Sequence, residues 1–264
     1  MVEAKIIQGD AIEVLKSLPS NKFHLCFTSP PYNVGIDYGA LVDDKREWEL
    51  YYDWSREWIG EVFRVLRPDG RFGLVHYLSL GDARHREAPL LRLERTAADV
   101  GFRHHGLAIW NDSTLSKRTA WGSYCSPSAP YINSPFEGVL ISYKSQWKKR
   151  DHGPGDISKR DFAMATSGLW NAATVGRSES GHPAPFSEGL AKIAIQLLTY
   201  PGDWVLDPFV GSGTTCVAAK RNRRNSIGIE IEPKYVEMTK ERLKFLVTRS
   251  WDRYDGKVDK GGGL

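Results

Sequence analysis

The sequence predicts an α/β protein built on a doubly wound, mainly parallel sheet. Short apolar runs alternate with helical patterns along the chain, as βαβ units require. A strand, a glycine-bearing turn and a helix follow one another over 204–221. An apolar run, Phe23–Thr28, passes directly into Ser29-Pro30-Pro31-Tyr32. The length of 264 residues suits one large α/β domain or one domain carrying an insertion.

Taken in order, Lys5–Gln8 reads as a short strand and Ala11–Leu18 as a short helix stopped by Pro19. Phe23–Thr28 is a buried strand. Trp48, Tyr51, Tyr52, Trp58, Ile59, Val62, Phe63 and Leu66 recur at helical spacing, so 45–66 is a long helix, stopped by Pro68-Asp69-Gly70. Arg71–Tyr77 is the next strand, Glu87–Val100 a helix ended by Gly101, and Phe102–Trp110 a strand. Residues 112–135 read as loop, Phe136–Tyr143 as a strand, and 145–185 as a stretch with little periodicity. Then come a helix at Ser187–Leu198, strand Trp204–Leu206, helix Thr214–Arg221, strand Asn225–Ile231 and a helix opened by Pro233. The glycine-rich tail, 257–264, is expected to fray.

Composition is that of a globular protein, 41% hydrophobic and 26% charged. The longest apolar runs, such as Phe136–Ile141, are too short to cross a bilayer, and residues 1–10 carry charges rather than a signal-peptide core. A cytoplasmic protein without membrane contact is expected. Cys26, Cys125 and Cys216 lack paired spacing, which argues against a disulfide framework or a zinc site; Cys26 and Cys216 read as buried small hydrophobes. His85, His104 and His105 have no carboxylate at metal spacing, so no metal is expected. The net charge of +4 permits a polyanionic partner without demanding one. Lys144, Lys148, Lys149, Arg150, Lys159 and Arg160 face only Asp151 and Asp156, which suits a solvated basic loop or a phosphate-binding one.

Asp207-Pro208-Phe209-Val210-Gly211-Ser212-Gly213-Thr214 joins a strand to a helix. Gly211 and Gly213 allow close backbone approach to a ligand, and the helix N-terminus offers unpaired N–H groups to a carboxylate. The turn is not a P-loop, since Thr214-Thr215 follows Gly213, and Cys216 replaces the third glycine of the dinucleotide fingerprint. Glu230 ends the next strand 23 positions after Asp207, near the spacing at which an acid reaches ribose hydroxyls. An adenosine-containing ligand without phosphates fits this set; a tight turn with a solvated acid is the alternative.

Ser29-Pro30-Pro31-Tyr32 should lie at the carboxyl end of the sheet, where open α/β folds bind ligands. Two prolines remove two donors and stiffen the turn, leaving carbonyls to accept hydrogen bonds. An amino group on a heteroaromatic ring is a poor nucleophile because its lone pair is delocalised. Acceptors such as Ser29 Oγ and the Pro30 carbonyl would favour a more tetrahedral nitrogen, with Tyr32 stacked on the ring. Without a cofactor site nearby, the tetrapeptide would be only a rigid aromatic turn.

Together, Thr28-Ser29-Pro30-Pro31-Tyr32-Asn33 and Asp207-Pro208-Phe209-Val210-Gly211-Ser212-Gly213-Thr214-Thr215 resemble the amino-methyltransferases of bacterial restriction-modification systems. Their order resembles the circularly permuted β group, and the likeness spans the chain except 145–178 and the tail. It implies a Rossmann-like S-adenosylmethionine-dependent fold. Asp207, Pro208, Phe209, Gly211, Gly213, Thr214 and Glu230 would bind the cofactor. Gly9-Asp10 would place Asp10 at its adenine, and His182-Pro183-Ala184-Pro185-Phe186 would place Pro183 and Phe186 at its methionine end. Ser29, Pro30, Pro31 and Tyr32 would be catalytic. The stretches 118–124 and 136–140 resemble loops that surround a flipped base.

Adenine-N6 relatives usually carry Asp or Asn where Ser29 stands, and cytosine-N4 relatives Ser, so the resemblance favours cytosine N4. Carbon-5 transfer would need a cysteine after a proline, and none of the three is so placed. The expected organisation is a catalytic half at 1–143, a target-recognition insertion at 144–180, a cofactor half at 181–250 and a tail at 251–264. Arg118, Lys148, Lys149, Arg150, Lys159 and Arg160 are expected to contact double-stranded DNA. A cognate endonuclease is a candidate partner, with the chain a monomer or homodimer. The competing expectations are adenine-N6 transfer, a nicotinamide-dependent oxidoreductase and a non-catalytic DNA-binding module.

Overall fold

The computed structural model describes residues 2–81, 85–111, 123, 125–130, 132, 136–150, 153–173 and 187–248. β1 (Ala4–Gln8) leads to α1 (Ala11–Ser17), whose first turn is capped by the Asp10 carboxylate accepting from Ile12 N and Glu13 N. β2 (Phe23–Thr28), α2 (Trp48–Val65) and β3 (Leu66–Tyr77) follow, with a small β4–β5 ribbon (Leu80–Gly81, Arg86–Glu87). Next are α3 (Pro89–Val100), β6 (Arg103–Asn111), β7 (Glu137–Tyr143), α4 (Lys159–Ala165) and β8 (Leu169–Asn171). The described chain closes with α5 (Glu188–Leu198), β9 (Trp204–Asp207), α6 (Thr214–Arg221), β10 (Asn225–Glu230) and α7 (Pro233–Thr248).

The eight-stranded sheet runs β1-β10-β9-β2-β3-β7-β6-β8. Only β7 is antiparallel to its neighbours, so the expected mainly parallel, doubly wound sheet is what forms. Alternation along the strands sorts side chains into two layers. Cys26 and Leu206 face α1, α2 and α3, while Leu25, Phe27 and Val205 face α5 and α6. Cys26 and Cys216 are fully buried, and Cys125 is exposed. Among the described residues no helix is long and apolar enough to cross a membrane.

Two boundaries differ from expectation. Pro68-Asp69-Gly70 does not separate helix from strand: α2 passes directly into β3 at Leu66, and the pairing with β2 shifts register between Phe23 and Leu25. Gly70 sits in that irregularity, where a Cβ would meet Arg67 O at 2.9 Å. The second difference is that 145–185 contains α4 and β8. Each element buries one residue, Ala165 or Trp170, so neither has an apolar period to reveal it.

The chain from β9 moves outward to β10, and the chain from β2 moves outward the other way to β3. The crevice between β9 and β2 is thus the switch point of the sheet, and both turns singled out in the sequence open over its carboxyl edge.

Candidate active site

Thr28 and Asp207 end adjacent strands, and their side chains meet. Thr28 Oγ1 donates to Asp207 Oδ1 over 2.7 Å, and Phe209 N donates to the same oxygen over 3.1 Å. Asp207 is fully buried, and among the described residues no donor lies in hydrogen-bond geometry to its Oδ2. Burial pushes its carboxyl up to about 6, against the opposing pull of hydrogen bonds such as that from Thr28.

Beyond Asp207 the chain turns through Gly211 at φ 49° and Gly213 at φ 87°. A Cβ on Gly213 would lie 2.4 Å from Thr239 Cγ2, so the close approach that requires glycine there is to α7. Thr239 Oγ1 also donates to Gly211 O over 2.8 Å. Arg242, one turn further along α7, donates to Ser212 Oγ at 3.2 Å and lies 3.4 Å from Thr214 Oγ1. Glu230 closes the other side of the turn, its Oε2 accepting from Gly211 N and its Oε1 from Glu232 N, each at 2.9 Å. Burial raises its pKa, opposed by these backbone donors. Gly9 N donates to Glu230 O, which sets the exposed Asp10 beside Glu230.

The Ser29-Pro30-Pro31-Tyr32 turn is braced from below. Tyr51 on α2 donates its hydroxyl to Pro31 O over 2.8 Å, and the same oxygen lies 3.2 Å from His76 Nε2. Burial holds His76 down at about 3, so the ring is neutral. Pro30 is buried, and among the described residues its carbonyl receives no hydrogen bond. Ser29 is half-buried.

Tyr32 rests on His76, with ring centroids 4.5 Å apart, and its edge meets Tyr77 at 5.0 Å. Its hydroxyl donates to Glu137 Oε2 over 2.5 Å. Burial raises the Tyr32 pKa well above its ordinary value, and the Glu137 carboxyl raises it further.

Asn33 ends the turn in a left-handed conformation at φ 59° and exchanges hydrogen bonds with the backbone of Arg46. Asp44 gathers Asn33 N, Val34 N and Ile36 N, while Leu41 N donates to Glu232 Oε1 over 2.6 Å. The loop after that turn is therefore tied to the residue two places beyond Glu230.

Two strand-end turns, one with backbone acceptors and an aromatic ring, the other with glycines and buried acids, thus face each other across the switch point. Comparison with known proteins identifies the family. The family model described as DNA methylase, N6_N4_Mtase, matches residues 23–241. The chain belongs to this DNA methylase family. It is 41% identical over 167 residues to the type II methyltransferase M.MjaVI of Methanocaldococcus jannaschii, covering 62% of this chain and 83% of that one. It is 30% identical over 255 residues to the DNA adenine methyltransferase YhdJ of Escherichia coli K12, covering 91% and 83%.

Among solved structures, the putative DNA modification methylase TTHA0409 of Thermus thermophilus, complexed with S-adenosyl-L-methionine, matches with a TM-score of 0.74. It is 28% identical and covers 94% of this chain and 98% of its own. The cytosine-N4-specific PvuII DNA methyltransferase matches with a TM-score of 0.70 and 25% identity, over 91% and 86% of the two chains. The methylase is thus S-adenosylmethionine-dependent and Rossmann-like, and DNA is its substrate.

The residues present fit that cofactor, which carries a sulfonium and an ammonium besides its ribose. The orphaned Asp207 Oδ2, Glu230 and Asp10 supply acids along one edge. The structure brings Ser29, Pro30, Pro31 and Tyr32 to the same carboxyl edge as Asp10, Asp207, Pro208, Gly211, Gly213, Thr214 and Glu230. Phe209 turns into the aromatic layer, 5.5 Å from Trp54 and 5.2 Å from Trp58. Pro183, Phe186 and Arg118 lie outside the described residues.

The basic run is not brought to this edge. β7 runs antiparallel, so residues 144–150 emerge at the amino edge, the far end of strands about 15–20 Å long. Lys149 Nζ lies 3.4 Å from Asp203, just before β9, and burial lowers its pKa. Arg150 N donates to Asp69 Oδ2, and its Nε to Gln146 Oε1. Asp156 accepts from Nη2 of the fully buried Arg224 over 2.9 Å, so the start of α4, with exposed Lys159 and Arg160, sits toward the same end. Lys148 is exposed there too.

Sequence reasoning missed Thr28, Tyr51, His76 and Glu137 as site residues. Nothing local marks the first three, since each reads as part of a buried element. Glu137 carried a faint signal, a charged residue beginning an otherwise apolar strand.

Proposed function

We propose that this methylase transfers a methyl group from S-adenosylmethionine to the exocyclic N4 of cytosine in a base flipped out of double-stranded DNA. The observation that carries the reading is Ser29 in the Ser-Pro-Pro-Tyr turn, placed across the switch-point crevice from Asp207 and Glu230. The bound cofactor supplies an electrophilic methyl group on a sulfonium sulfur. Ser29 Oγ and the Pro30 carbonyl accept the two N–H bonds of the target amine and turn its lone pair toward that methyl. With the lone pair so directed the amine would accept the methyl group, and the proton it then carries in excess would leave to solvent. Tyr32 stacks on the flipped ring, offsetting part of the few kcal/mol that unstacking costs.

Asp207, Glu230 and Asp10, with the Gly211–Gly213 turn and Thr214, hold the cofactor; Pro208 fixes the start of that turn. Phe209 supports it from the core side. The duplex lies over the carboxyl edge. Lys149 then acts on the fold through Asp203, while Arg150 meets Asp69 through its backbone N–H and Gln146 through its exposed side chain. Lys148, Arg150, Lys159 and Arg160 keep exposed charges at the opposite, amino edge, so phosphate contact from them requires DNA that reaches round the sheet, whereas Arg118 contacts flanking phosphates in this proposal. A cognate endonuclease and action as a monomer or homodimer belong to the same reading.

A second reading, adenine-N6 transfer, is favoured by the likeness to YhdJ, named a DNA adenine methyltransferase. Labelled methyl transfer to unmethylated DNA, followed by digestion and nucleoside mass spectrometry, separates the two. N4-methylcytosine supports the proposal, and N6-methyladenine overturns its target atom.

A further inference from the structure

We propose that Glu137 is a positioning residue for base methylation: its carboxyl fixes the Tyr32 ring against the target base. The inference rests on the stacking role of Tyr32 proposed above.

Tyr32 sits on the turn after β2, whose backbone is held by Tyr51 at Pro31 O and by Asp44 at Asn33 N, and neither contact reaches the Tyr32 side chain. Its ring has one face on His76 and an edge toward Tyr77, contacts that leave rotation within the ring plane undecided. The hydroxyl settles that freedom by donating to Glu137 Oε2 over 2.5 Å. Glu137 in turn is held by the sheet. As the first residue of β7 it is in register with Tyr77 on one side and Trp110 on the other. Because β7 is antiparallel, its first residue lies at the carboxyl edge, where a parallel strand would present its last. A hydrogen bond to a carboxylate is short and directional, so one sheet-borne acceptor can orient a loop-borne ring.

A phenylalanine at 32 would stack as well as tyrosine. The hydroxyl adds a tether, and the tether ends on Glu137.

The test is steady-state kinetics on unmethylated plasmid DNA, giving kcat and both KM values for wild type and variants. Glu137→Ala and Tyr32→Phe should each lower kcat about tenfold, the worth of one hydrogen bond to a charged group. The KM for S-adenosylmethionine should stay near wild type, and the melting temperature should fall by no more than the few degrees that one lost buried hydrogen bond costs. The double variant should lose no more than the worse single, since both remove the same contact. Glu137→Gln should recover most of the loss, with an unchanged pH profile, because an amide oxygen still accepts from the phenol.

Additive losses in the double variant would overturn the proposal. So would a Glu137→Gln variant as damaged as Glu137→Ala with one limb of the pH profile missing, which would assign the carboxylate to the substrate directly. Product identity is read separately: N6-methyladenine from wild type would sink the target atom proposed above and leave the coupling between residues 32 and 137 measurable.

Discussion

Thr28 donates its hydroxyl to Asp207 over 2.7 Å inside the sheet, joining the strand that runs into Ser29-Pro30-Pro31-Tyr32 to the strand that carries the glycine turn. The two residues are 179 positions apart in the chain. Both are fully buried, so the contact fixes the spacing between the two strand ends from which these turns emerge.

Thr28→Val keeps the shape and removes the donor. Asp207 Oδ1 would retain Phe209 N, and stability should fall by about 1–3 kcal/mol. Urea unfolding measures the loss, and calorimetric titration should show weaker S-adenosylmethionine binding. Unchanged cofactor affinity would mean the two strand ends are spaced by other contacts.

Asp207 also makes a pH prediction. Its folded pKa of about 6 lies above the ordinary aspartate value of 3.8. The folded state therefore binds the proton more tightly, and this contribution is complete below about pH 4 and lost as pH rises through 6. Two units correspond to about 3 kcal/mol. Asp207→Asn keeps an acceptor for Thr28 without the charge, so its stability relative to wild type should rise by that order between pH 4 and pH 7.5. Urea unfolding at the two pH values measures it; a constant difference would show that Asp207 is already ionised at the lower pH.

Ser29→Ala removes one of the two proposed acceptors for the target amine. Turnover should fall about ten- to a hundredfold, with cofactor affinity held within a factor of two or so. Equal losses in both would point to a structural role for the hydroxyl.

Gly213→Ala places a Cβ at φ 87° and within 2.4 Å of Thr239. The left-handed backbone alone costs about 1–2 kcal/mol, and the contact adds to it. Adding Thr239→Ala should recover part of the loss, seen as a non-additive melting temperature in the double variant. Full additivity would place the strain wholly in the backbone.

The fold and the location of the site were legible because their signals are local. Apolar runs of strand length, helical spacing from Trp48 to Val62 and the glycines at 211 and 213 all lie within single elements. Ser29-Pro30-Pro31-Tyr32 was legible for the same reason, as a stiff turn at the end of a buried strand. The short elements α4 and β8 were not, because each buries a single side chain and borrows its stability from the sheet edge.

The basic residues of 144–160 show the limit most clearly. Their charge is written in the sequence, but which edge of the sheet they occupy depends on β7 running antiparallel, a pairing between segments some seventy residues apart. The same pairing brings Glu137 to Tyr32. By itself, the sequence determined the α/β layering, the two turns and their residue types, since these follow from periodicity and backbone chemistry. The tertiary structure decided the partners: Thr28 with Asp207, Tyr51 with Pro31, Glu137 with Tyr32, Thr239 with Gly213. Each is a contact between distant segments, and only the packing of the sheet determines which distant side chains come within hydrogen-bond or van der Waals reach.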